Sequence, residues 1–246
     1  METFTFADVA IAVPDRVTDP HRKVWAKRAG PGSWWTGAER IAIADESRRA
    51  LDCGFCAERR EALSAEAVEG EHDSGGVLPA VALEAVHKIV TDSARLSLAL
   101  YEGLVADGLS DAHYSELVGV LVAVFSIDEF HRGIGAALEP LPEAEPGDPE
   151  RRRPSGATME GAWLATVPAD ALDPEDADIY GGGRHAPNVV RALSLVPENV
   201  RTLGDLHGAH YLSYDEMRIM EKIRELSRSQ MELVAAGTSA VNECFY

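Results

Sequence analysis

The stretch Leu117-Val118-Gly119-Val120-Leu121-Val122-Ala123-Val124-Phe125 decides the fold class. Within it Leu117, Val120, Leu121, Val124 and Phe125 recur near the period of about 3.6 residues that marks one face of an α-helix. Upstream, Leu96, Leu98, Leu100, Leu104 and Val105 do the same, and strand-like alternation is scarce along the whole chain. The run is interrupted by Gly119 and falls far short of the roughly 20 apolar residues that span a bilayer. Helix starts are marked by polar caps ahead of apolar-periodic stretches, at Asp92-Ser93, Ser110-Asp111, Pro197-Glu198 and Ser227-Arg228. The expected class is all-α.

With 246 residues, 46% of them hydrophobic, the chain has enough apolar surface for a real core. A formal net charge of −18 repels phosphate backbones and anionic lipid surfaces, so neither a nucleic acid nor a membrane is expected as a partner. The first residues, Met1-Glu2-Thr3-Phe4-Thr5-Phe6-Ala7-Asp8, lack a basic segment followed by an apolar run, which makes a cytoplasmic protein the expectation.

Between residues 139 and 154 the run EPLPEAEPGDPERRRP carries five prolines, which neither helix nor strand accommodates. It reads as a linker or long crossover, dividing the chain into residues 1–138, 139–156 and 157–246. Gly181-Gly182-Gly183 is a second break and reads as a surface loop. The two halves align loosely as copies. Val86-His87-Lys88-Ile89-Val90 before Thr91-Asp92-Ser93 matches Val190-Arg191-Ala192-Leu193 before Val196-Pro197-Glu198, and Ser110 to Glu116-Leu117-Val118 matches Ser227 to Glu232-Leu233-Val234.

Cysteine chemistry is the most specific functional signal. Cys53-Gly54-Phe55-Cys56 and Cys244 do not form a secreted disulfide framework; a Cys-x-x-Cys in a reducing compartment reads as redox or metal-binding. Zinc takes four ligands, and no second Cys-x-x-Cys or spaced His pair follows Cys56 closely, which favours redox. Glu84-Ala85-Val86-His87 is the pair type that builds di-iron sites in helical bundles, but a second such pair is missing and His207 with His210 substitutes poorly, so no metal and no cofactor are expected.

The stretch from Glu232-Leu233-Val234 through Ser239-Ala240-Val241-Asn242-Glu243-Cys244-Phe245-Tyr246 resembles the core motif of the AhpD-like alkylhydroperoxidases of the carboxymuconolactone decarboxylase superfamily. Pro187-Asn188-Val189-Val190-Arg191-Ala192-Leu193 extends the similarity. The resemblance implies two tandem AhpD-like helical units and thiol-dependent peroxide reduction or disulfide exchange. Cys244 would be the resolving thiol, Glu232 a proton relay raised by burial, and Cys53 with Cys56 a further redox pair. It also implies a thiol/disulfide reductant protein as partner and a homo-oligomer. The family's attacking sulfur would follow Tyr246; a selenocysteine codon read as a stop is one expectation there, and a frameshifted or shortened gene the other.

The first half departs from the family pattern. Ile41 stands where its Glu would be (53 − 41 = 12) and Arg60 where its His would be (60 − 56 = 4), so acid–base help is expected from Glu39, Glu46 or elsewhere, with Arg59 and Arg60 favouring thiolate. Glu116 repeats the Glu spacing ahead of Asp128 (128 − 116 = 12), with His131 at the second sulfur's position. These three are secondary candidates for a cysteine-independent lyase or isomerase. A satisfied helix-end histidine is the plain alternative for His131, and a non-catalytic helical scaffold the plain alternative for the chain.

Overall fold

The computed structural model describes residues 3–183, 186–219, 221 and 224–244. Among them the α-helices are α1 (Asp15–Ala29), α2 (Gly37–Ala50), α3 (Gly54–Glu61), α4 (Ala80–Thr91), α5 (Leu98–Ala106), α6 (Asp111–Ile134), α7 (Asn188–Arg191), α8 (Pro197–His210) and α9 (Arg228–Val241), with no strand among the described residues. The fold is all-α. Among the described residues no helix is long and apolar enough to cross a membrane.

The stretch that fixed the class lies in α6, the central helix, which packs against α1, α2, α4 and α8. Leu117, Val120, Leu121, Val124 and Ile127 are buried together with Val24, Trp25, Ile43, Ala82, Val86 and Leu104. Gly119 interrupts the apolar run for a steric reason: a Cβ there would come within 2.1 Å of Cγ of Asn199 on α8. Asn199 uses that close approach to donate from Nδ2 to the Ser115 carbonyl at 2.9 Å.

Ser110 caps α6 through the His113 N–H, Ser227 caps α9 in a capping box with Gln230, and Pro197 opens α8. The start expected at Asp92-Ser93 yields only a 3₁₀ turn, Ser93–Arg95, because the Asp92 carboxylate is taken by Lys88 and Arg95. The next helix, α5, starts instead at Ser97, whose Oγ accepts from the Leu100 N–H. The glycine break is an ordered turn, with Gly181 and Gly182 at φ 57° and 71°.

Residues 139–154 form a strap laid against the helices. The Trp25 indole donates to the Pro140 carbonyl at 2.9 Å, Glu145 N–H to Ala29 O at 2.7 Å, and Arg151 N–H to Ser33 O at 2.7 Å. Beyond it the chain returns to the same core: Leu206 of α8 is buried among residues of the first half.

Candidate functional site

The site is built around Cys53 and Cys56. Helix α2, started by a Thr36/Glu39 capping box, ends at Ala50, and the chain turns so that Cys53 is the N-cap of α3 and Cys56 lies in its first turn. Both cysteines are buried. Two histidines that the sequence reading did not attach to them complete the cluster. His72 comes from the irregular segment between α3 and α4, and His87 from α4. His72 Nδ1 stands 3.8 Å from Cys53 Sγ and 3.4 Å from Cys56 Sγ, and His87 Nδ1 stands 3.2 Å from Cys56 Sγ. One potential ligand atom from each of the four residues lies within 4.8 Å of the other three.

Each imidazole is backed by a carboxylate. His72 Nε2 is 2.9 Å from Glu84 Oε2, and His87 Nε2 is 3.3 Å from Glu46 Oε2. Glu84 is held in turn by the Arg59 guanidinium at 2.8 and 3.0 Å. Glu46 also accepts from Ser74 Oγ at 3.0 Å and from the Gly75 N–H at 2.5 Å, fixing the segment that carries His72. Close packing adds a second constraint on that segment, since a Cβ at Gly70 would fall 2.6 Å from the Phe55 ring.

The electrostatics follow from these contacts. Burial pushes the Cys53 thiol up, but the Cys56 and Asp73 backbone, His72 and the Cys56 side chain together outweigh it and leave the thiol below its ordinary value. Burial likewise opposes charge on His72, yet hydrogen bonds to Cys56, Glu84 and Cys53 raise it to about 10. The His72 bond in turn, helped by Arg59, holds the Glu84 carboxyl down at about 2 despite its burial. His87 is lowered by burial and by the neighbouring His72 charge, which Glu46 only partly offsets. Of the carboxylates expected to serve the cysteines, Glu46 reaches the cluster through His87, and Glu84 does so through His72; Glu39 is occupied in its cap. Arg59 pairs with Glu84, which in turn contacts His72.

The other expected residues are placed differently. Glu232 is exposed, and its carboxylate accepts from Tyr211 Oη and from Arg228 Nε, both at 2.5 Å, which hold it below its ordinary range. The elevation by burial that a proton relay needs is not found there. Cys244 is exposed just past α9, its N–H bonded to Ser239 O; Phe245 and Tyr246 lie outside the described residues.

Glu116, Asp128 and His131, grouped as secondary candidates, occupy three separate environments along α6. Glu116 and His131 are fifteen residues apart (131 − 116), about 22 Å along a helix axis, and cannot share a substrate-sized site. Asp128 forms a bidentate pair with Arg48, both contacts 2.8 Å. His131 Nδ1 donates to Ile127 O at 2.8 Å among Phe4, Phe6 and His21, while its buried Nε2 has no hydrogen-bond partner, so the helix-end arrangement is only half satisfied. Glu116 is buried, accepts from the Trp34 N–H at 2.5 Å and lies 3.5 Å from Arg40 Nε. Its carboxyl is raised by burial, against the pull of Arg40. It lines a cavity of about 460 Å³ that also receives Arg28, Arg40, Arg152, Asn199 and Arg201. Arg28 is buried there with Nε and Nη1 unpartnered.

The signal that could have found His72 is its spacing. Cys-x₂-Cys-x₁₅-His (72 − 56 − 1 = 15) is the first three-quarters of a common zinc pattern, and only the fourth member of the cluster, His87, breaks it by coming from a later helix. Comparison of the chain with protein-family models, with curated proteins and with solved structures returns no match.

Proposed function

We propose that the chain is a thiol-dependent oxidoreductase that reduces peroxide, or exchanges disulfides, at Cys53 and Cys56. The observation that carries this reading is the placement of both sulfurs against one imidazole, His72, which has a carboxylate behind it. Cys53, at the N-terminus of α3, attacks the O–O bond as thiolate. Its sulfur takes one oxygen as sulfenic acid, while the imidazolium of His72 gives its proton to the departing alkoxide. The Cys56 thiol then displaces water from the sulfenic acid to form the Cys53–Cys56 disulfide. A reductant protein carrying two thiols returns the electrons. This order of attack reverses the one implied by the resemblance and rests on the N-cap position of Cys53.

Burial of both sulfurs favours a compact oxidant, hydrogen peroxide or a small alkyl hydroperoxide. The expected cytoplasmic setting suits a reduced dithiol. A second copy of the chain is the expected cover for Leu233, Val234 and Val241, which lie exposed on α9.

The test is peroxide consumption by the reduced chain and by Cys53→Ser, Cys56→Ser and Cys244→Ser. Loss in Cys53→Ser, a sulfenic acid in place of the disulfide in Cys56→Ser and retention in Cys244→Ser support the reading, whereas the same outcome in all four removes it.

A second reading is favoured by the Glu116 cavity: a cysteine-independent lyase or isomerase acting on a small anion, with Arg28 and Arg40 binding the charge and Glu116 moving a proton. His131 has no part in it. Activity on small carboxylates that survives replacement of all three cysteines, and is lost in Glu116→Gln, is the result that selects this reading.

A further inference from the structure

The geometry points to a second chemistry at the same cluster: we propose that Cys53, Cys56, His72 and His87 bind one thiophilic divalent cation, Zn²⁺, in tetrahedral S₂N₂ coordination. Around Zn²⁺, with bonds of about 2.3 Å to sulfur and 2.0–2.1 Å to nitrogen, a tetrahedron has S···N edges of about 3.6 Å and an S···S edge of about 3.8 Å. The three S···N separations found are 3.8, 3.4 and 3.2 Å, so the donor atoms already stand near the corners of such a figure. Every member of the set is a zinc ligand type, and two thiolates exclude Mg²⁺ and Ca²⁺.

The orientation of the imidazoles is the independent observation. Both present Nδ1 to the sulfurs and both direct Nε2 to a carboxylate, Glu84 for His72 and Glu46 for His87. A neutral imidazole whose Nε2–H donates to a carboxylate leaves its Nδ1 lone pair aimed at the shared centre, the tautomer that binds metal. Two such carboxylate–histidine pairs converging on two sulfurs is more than a dithiol with one acid–base partner needs. The cation also has a structural consequence. Its ligands come from the start of α3, from an irregular segment and from α4, so binding ties that segment to two helices.

The inference stands without the redox reading but constrains it. Both sulfurs are ligands in the bound state and neither is in the disulfide, so transfer of two electrons from the thiolates to a peroxide ejects the cation. Zinc and disulfide are alternative states of one site.

The experiment uses the full chain, reduced and freed of metal by a chelator, titrated with Zn²⁺ and, in parallel, with Co²⁺ as a spectroscopic probe. One equivalent of Zn²⁺ is expected to bind, and Co²⁺ is expected to give thiolate charge-transfer and tetrahedral ligand-field bands. His72→Ala and His87→Ala should each weaken binding by more than about 100-fold, and Glu84→Gln by about 10–100-fold, with Cys244→Ser unchanged. If His72→Ala does not fold, His72→Cys supplies a replacement ligand and should keep one equivalent bound. No uptake by the folded metal-free chain overturns the inference, and so does uptake that both histidine variants leave intact, which is chelation by thiols alone. A chain that binds Zn²⁺ but consumes no peroxide when metal-free sinks the redox reading and leaves this one standing. Peroxide reduction without zinc uptake does the reverse.

Discussion

Glu84 holds His72 from behind: its Oε2 stands 2.9 Å from Nε2 of the imidazole while Nδ1 of the same ring faces both buried sulfurs. Replacing Glu84 by Gln removes the charge that keeps His72 protonated and presents an amide that Arg59 pairs with poorly. The metal-free variant should reduce peroxide about 10–100-fold more slowly, with its helical circular dichroism unchanged. An unaltered rate would place the proton source elsewhere.

Glu46 matters through the tautomer it imposes on His87. Its Oε1 holds Ser74 and Gly75, and its Oε2 faces His87 Nε2 at 3.3 Å. Glu46→Gln puts an amide donor against that nitrogen and forces the ring proton to Nδ1, toward Cys56. A loss of about 1–3 kcal/mol is expected from urea unfolding, since a buried polar partner is left mismatched. A midpoint within error of the parent chain would contradict the assignment.

Acid stability reports on His21. It is fully buried beside His210 and His131, against Phe4 and Phe130, and its pKa is lowered to about 3, first by burial and then by His210 and His131. With the folded pKa below the ordinary value of about 6.5, the unfolded chain takes up the proton first as pH falls. Stability should therefore be full above about 6.5 and decline toward pH 3, by up to about 1.4 kcal/mol per pH unit from this residue. Denaturant midpoints in wild type and His21→Gln across this range should converge as pH falls; parallel curves would rule His21 out.

Gly119 and Asn199 meet at the contact between α6 and α8. Gly119→Ala should cost about 1–3 kcal/mol, because the added Cβ overlaps the Asn199 side chain and breaks its bond to Ser115. Thermal unfolding of the variant, and of the double variant with Asn199→Gly, checks this: the second change should restore part of the loss, and no restoration would place the strain elsewhere.

The helical class was legible because α6 repeats its apolar residues at the helical period over several turns, a signal that tertiary context strengthens. The cap residues Ser110 and Ser227 were legible for the same local reason, and Asp92 was misleading because Lys88 and Arg95 compete for its carboxylate. The cluster was half legible. Cys53 and Cys56 share one helical turn and so appear together in sequence, whereas His72 belongs to a segment with no periodicity and His87 to a helix whose facing partner cannot be read from its own residues. Glu84 and His87 were visible as a pair, but they serve different imidazoles: Glu84 backs His72, and His87 is backed by Glu46. Spacing also grouped Glu116 with His131, although slightly more than about four helical turns separate them.

The most direct measurement is peptide mapping by mass spectrometry of the reduced, metal-free chain after one equivalent of hydrogen peroxide, with remaining thiols alkylated. The expected main product is a Cys53–Cys56 disulfide, with Cys244 alkylated and with Cys53 trapped as sulfenic acid in Cys56→Ser. Recovery of Cys53 and Cys56 both alkylated, with oxidation confined to Cys244 or to methionine, would contradict it.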